Sequence, residues 1–102
     1  MGIIMVTIYY PTHKATEIAK LYLKQPRDLP PHVTKWRAFN TSAGKDGMKQ
    51  YHIIYTERGK AEEAGLEIFK YFMPFSSIEG YNIQVESVMG VTDSFKLMGM
   101  QW

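Results

Sequence analysis

Apolar side chains occupy nearly every position of Ile3-Ile4-Met5-Val6-Thr7-Ile8-Tyr9-Tyr10. Alternate residues of a strand face opposite sides of its sheet, so this pattern predicts a strand that needs cover on both sides. Pro11, which cannot donate to a ladder, ends it, and Thr12 is placed to cap a helix. In that helix Ala15, Ile18, Ala19, Leu21 and Tyr22 share one face, and Pro26 closes it. The stretch from Arg27 to His32, with Pro30-Pro31, must be an extended connection. Two further strands, about Val33 to Ser42 and Met48 to Thr56, flank Ala43-Gly44-Lys45-Asp46-Gly47, whose Asp-Gly pair predicts a type I′ hairpin turn. After Gly59, a helix from about Lys60 to Met73 is expected to bury Ala61, Ala64, Ile68, Phe69 and Phe72, with Pro74 as its stop. Gly80 precedes a last alternating strand, Tyr81 to Met89.

The predicted order is β-α-β-β-α-β in a single domain covering residues 1–102. That is the ferredoxin-like pattern: an α+β fold with a four-stranded antiparallel sheet and two helices on one face. Two helices cover only one side of the first strand. A second copy of the chain is the expected cover for the other, making a homodimer. The tail from Asp93 carries Phe95, Leu97, Met98, Met100 and Trp102 and is expected to dock on its own subunit or on a partner.

Composition narrows the function. The net charge of +2 is spread along the chain and makes no field suited to nucleic acid or an anionic membrane. The chain has no cysteine, which excludes disulfides, thiolate metal sites and a cysteine nucleophile. The N-terminus lacks a basic n-region, and no stretch reaches the ~20 apolar residues of a membrane span. A soluble, cytoplasmic protein is expected.

An even-length hairpin loop would place Lys35, Arg37, Phe39 and Thr41 on one face with Gln50, His52, Ile54 and Thr56. Trp36, Ala38 and Asn40 would then join Tyr51, Ile53 and Tyr55 against the helices. A bulge or an odd loop would invert the assignment. On the first reading the uncovered face offers Thr7, Tyr9, Arg37, Gln50, His52, Gln84 and Glu86, a mixed surface suited to a cleft shared by two subunits.

His52 is then the candidate general acid or base, because imidazole titrates near neutrality. Tyr9 and Gln84 would orient a substrate, with Thr7 beside them, and Arg37 would hold an anionic group. Glu86 could accept from a ligand or from Arg37. His13, in the first helical turn, could bind an anion at the cavity mouth. The competing readings are structural: His52 as a hydrogen-bonded interface residue, Glu86 as a solvated edge carboxylate, and His13 as a surface residue. His13, His32 and His52 lie on separate elements without metal-site spacing, so no metal or cofactor is expected. RNA-recognition domains share this element order and stack bases on outward aromatics of the first and third strands. The stretch Lys49 to Thr56 lacks the glycine and final aromatic of their motif, so an RNA-binding module ranks as a remote alternative.

Over residues 3 to 90, as architecture rather than motif, the chain resembles the dimeric α/β-barrel superfamily, whose members pair their sheets face to face around a small-molecule cavity. Tyr10-Pro11-Thr12-His13-Lys14, Asp46-Gly47-Met48-Lys49 and Ile78-Glu79-Gly80-Tyr81 also resemble segments of small archaeal and bacterial proteins of this size. The superfamily resemblance implies a small-molecule enzyme, such as a cofactor-independent oxygenase or isomerase. The alternative is a non-catalytic ligand-binding or structural homodimer. The haem-degrading branch uses an Asn, a Trp and a haem-ligating His. Here Asn40 and Trp36 fall on the second strand, and no histidine follows His13 in the first helix, which argues against haem.

Overall fold

The computed structural model describes residues 2–101. Trp102, part of the expected docking tail, lies outside them. Four strands, β1 (Gly2–Tyr10), β2 (Val33–Ser42), β3 (Met48–Thr56) and β4 (Asn82–Val88), form one antiparallel sheet in the order β2-β3-β1-β4. Two helices, α1 (Ala15–Lys24) and α2 (Ala61–Phe72), supply the core residues Ile18, Ala64, Ile68 and Phe72. The α+β architecture is the expected one, and the arrangement is compatible with a ferredoxin-like fold. Among the described residues no helix is long and apolar enough to cross a membrane.

The sequence explains most boundaries. Pro11, extended at φ −64° and ψ 141°, closes β1. A 3₁₀ turn over Thr12–Lys14 then runs into α1 without a side-chain cap, so Thr12 opens the turn rather than capping the helix. Pro74 sits near the start of another 3₁₀ turn, Met73–Ser77, which delivers Phe75 into the core. Ile4, Val6, Ile8 and Tyr10 of β1 meet Ile54 of β3, Ile18 of α1, and Ala64, Ile68 and Phe72 of α2. Ile68 and Phe75 are completely buried, each contributing roughly 2–3 kcal/mol of apolar transfer. Phe69 and Ala61, expected inside, are exposed; Phe75 and Ile78 fill the space beyond the helix instead.

The hairpin departs from expectation. The β2–β3 loop spans five residues, Ala43 to Gly47, built on a 3₁₀ turn at Gly44–Asp46 and closed by Ala43 N–H donating to the Gly47 carbonyl at 2.8 Å. An odd loop pairs even positions with even: Trp36 with Ile54, Ala38 with His52 and Asn40 with Gln50. His52 and Gln50 therefore lie beside Val6 and Ile8, under the helices, while Lys49, Tyr51, Ile53 and Tyr55 face the other way. Every β3 side chain is on the opposite face from the one the type I′ turn predicts. A bulge at Thr34 shifts the register once more and lets Val33 return to the core face opposite Thr56.

Beyond β4 a third helix, α3 (Val91–Leu97), contributes no buried residue. Val91, Leu97, Met98 and Met100 are all more than half exposed. The chain is elongated, 48 × 31 × 17 Å, with a radius of gyration of 15.3 Å against about 13 Å for a compact domain of this length.

Candidate functional site

His52, Tyr9 and Glu86, the residues expected to carry the chemistry, do not come together. His52 is 3 % exposed and enclosed by Tyr22 of α1, Trp36 of β2 and Phe72 of α2. Trp36 Nε1–H donates to His52 Nδ1 at 2.9 Å. An indole nitrogen can only donate, so Nδ1 carries the lone pair and Nε2 the proton. Nε2 lies 3.2 Å from both Tyr22 Oη and Gln50 Oε1, and Tyr22 O–H donates to Gln50 Oε1 at 2.7 Å. The indole N–H, both imidazole nitrogens, the Tyr22 hydroxyl and Gln50 Oε1 thus have roles consistent with one another, as an interior network requires. Burial pushes the His52 pKa down to about 4. A proton on Nδ1 would also face the Trp36 donor. Burial likewise raises the Tyr22 pKa, with nearby Tyr81, Tyr71 and Tyr10 adding to the shift. His52 is a neutral tie between two helices and the sheet, and it is screened from any substrate on the far face.

Replacing the indole should expose this role. Trp36→Phe is expected to cost at least about 1–3 kcal/mol, because a buried acceptor loses its donor and the smaller ring leaves part of the space beside Tyr71 and Phe72 unfilled. It should also raise the His52 pKa toward its ordinary value. Urea unfolding and an imidazole NMR titration read the two effects, and an unchanged pKa would mean that burial alone, without the Trp36 contact, holds it down.

The other sequence candidates, His13 apart, lie on the open face. Its sixteen side chains form a grid fixed by the strand register, with each row read from β2 to β4. The rows are Thr41-Lys49-Tyr9-Asn82, Phe39-Tyr51-Thr7-Gln84, Arg37-Ile53-Met5-Glu86 and Lys35-Tyr55-Ile3-Val88. Tyr9, Thr7, Gln84, Glu86 and Arg37 share this face, as expected, and His52 does not. The sequence reading missed Lys49, Tyr51, Ile53 and Tyr55. The five-residue loop with its two positive-φ glycines was the signal that could have found them.

The first two rows carry the most distinctive chemistry. Lys49 Nζ sits 4.8 Å from the Tyr51 ring centre and 5.1 Å from that of Tyr9, within cation–π range of both. The side chains of Tyr51 and then Tyr9 hold the Lys49 pKa above the usual range, so it is a fixed cation rather than a nucleophile. Thr7 lies next to Tyr51 and is only 6 % exposed. Arg37 stacks on Phe39 at 5.2 Å, and Lys35 on Tyr55 at 5.7 Å.

His13 is exposed and lines an open cleft of about 640 Å³ at the Tyr9–Lys49 end of the sheet, with Pro11, Gly44, Lys45 and Gly80 among its walls. Among the described residues, no three His, Asp or Glu side chains gather as metal ligands. No protein-family model matches the chain, and a search of curated proteins finds no significant relative.

Proposed function

We propose that this protein is a ligand-binding homodimer, its two sheets packed face to face around a cavity that takes a small anionic molecule. The observation that carries the reading is the Tyr9–Lys49–Tyr51 cluster: a fixed cation between two aromatic rings, beside Thr7 and Gln84, on a face that no part of the chain's helical layer covers. The surface area supports a missing partner. The chain exposes 7180 Å², roughly 1,300 Å² more than the ~5,900 Å² of a compact monomer of its mass. A standard interface needs about 800 Å² from each side.

The enzyme reading, a cofactor-independent oxygenase or isomerase, ranks second. It loses its histidine base to the covered face, leaving Glu86 as the one carboxylate in the open grid. RNA binding gains one observation, since Tyr9, Tyr51 and Tyr55 point outward from the two central strands with Lys35, Arg37 and Lys49 among them.

Native mass spectrometry of untagged protein tests the dimer and reveals any retained ligand. Isothermal titration with benzoate, an aromatic anion, tests the cluster. Lys49→Ala is expected to weaken benzoate binding by about 10- to 100-fold, the worth of a charge-assisted contact. Benzoate binding unaffected by Lys49→Ala would remove the cluster from the site. A monomer that binds oligouridylate in a salt-dependent way would favour the RNA reading instead.

A further inference from the structure

We infer that the second copy is seated by a two-fold axis running along the strands, so that β2 of one copy lies over β4 of the other and Arg37 meets Glu86 of the second copy. The inference rests on the homodimer reading and specifies its geometry.

Arg37 and Glu86 occupy opposite edges of the same row. Three inter-strand spacings of ~4.8 Å put them about 14 Å apart, too far to pair within one chain. Both are exposed, and neither takes part in the two ion pairs of the described residues, Lys14–Glu17 and His32–Glu57. Among the described residues, neither has an opposite charge as a partner.

Two sheets packed face to face can be related by an axis along the strands or across them. An axis along the strands lays each row over its own reverse. Arg37 then faces Glu86 of the second copy at both edges, Ile53 faces Met5, and Lys49 faces Tyr9. An axis across the strands lays each strand over itself. That arrangement lines up Lys35 and Arg37 of both copies along one edge and both Glu86 carboxylates on the other, with no opposite charge across the seam. Arg37 and Glu86 then face Phe39 and Gln84 of the second copy, so both charges stay unpaired while each edge gathers charge of one sign. Only the first arrangement joins opposite charges across the seam, and it keeps Ile53 on Met5 and Tyr55 on Ile3 at the centre, with Phe39 facing Gln84 and Lys35 facing Val88 at the edges. The twist between packed sheets, about 30°, moves the two middle rows least, and the Arg37–Glu86 row is one of them.

The test uses Arg37→Glu and Glu86→Arg, measured by sedimentation equilibrium singly and mixed in equal amounts. Each variant alone is expected to dimerise at least ten-fold more weakly than wild type, with an unchanged circular dichroism spectrum. The mixture is expected to recover wild-type affinity as a heterodimer, because both seams then join a carboxylate to a guanidinium. A dimeric wild type whose single variants dimerise equally well would overturn this seating and leave the dimer standing. Weakened variants that the mixture does not rescue would overturn the seating too. A monomeric wild type, whether or not it binds oligouridylate, would overturn the dimer itself.

Discussion

Gly47→Ala is expected to unfold the protein at markedly lower denaturant, with a loss of about 3 kcal/mol or more. Gly47 closes the β2–β3 loop at φ 96° and ψ −133°, a conformation that side chains with a Cβ rarely adopt. Such a backbone costs about 1–3 kcal/mol in any other residue. The added methyl would also stand 2.4 Å from the Tyr10 carbonyl oxygen and 3.2 Å from Pro11 Cα, both backbone atoms with little room to move. For a domain of this size the combined loss lowers Tm by roughly 12–24 °C. Gly44→Ala is the internal control. Its φ is also positive, at 64°, but nothing lies within 4 Å of the new methyl, so about 1–2 kcal/mol is expected. Equal midpoints for the two variants in urea would mean that the close approach to Tyr10 does not matter.

Acid is expected to weaken the fold through one histidine. The His52 pKa is about 4 in the native protein and about 6.5 in an unfolded chain. Between those values the unfolded chain binds a proton that the native state refuses. Stability is therefore full above pH 6.5, falls as pH drops through the window, and has lost about 3 kcal/mol by pH 4. His52→Gln cannot titrate. It should start from a lower stability, because the Trp36 and Tyr22 contacts are disturbed, but its stability should vary far less between pH 6.5 and pH 4. Parallel curves for the two proteins would show that His52 is not the group responsible.

The periodicity of the chain reveals its elements far better than its faces. The alternation in β4 and the breaks at Pro11, Gly59 and Pro74 are local signals, and the elements fall where those signals put them. Sidedness in β3 is not local. Both of its residue sets contain apolar members, Ile54 in one and Ile53 with two tyrosines in the other, so hydropathy alone does not choose between them. The choice depends on whether the preceding loop is odd or even, and that depends on Gly44 and Gly47 taking positive φ. One residue of parity moved His52 from the proposed site into the core, and it moved Lys49 and Tyr51 the other way. Thr7, Tyr9, Gln84 and Glu86 escaped this error because β1 and β4 do not depend on that loop. Phe75 was illegible for a different reason. It follows Pro74, where helical periodicity stops, and a 3₁₀ turn carries it inward.

The sheet order also bears on how the chain reaches this structure. β1, the most apolar strand, is flanked by β3 and β4, and both come tens of residues later in the chain. During synthesis, Ile3 to Ile8 leave the ribosome long before either neighbour exists. Until α2 is made, one of its faces lacks part of its helical cover, and until β4 is made, one edge of that strand has no ladder partner. The stretch is then a short, uncharged β-former of the kind that aggregates. Because its native pairings are so distant, folding is governed by slow closure of long loops. Nascent chains stalled between β3 and β4 are consequently the stage at which chaperone capture should peak.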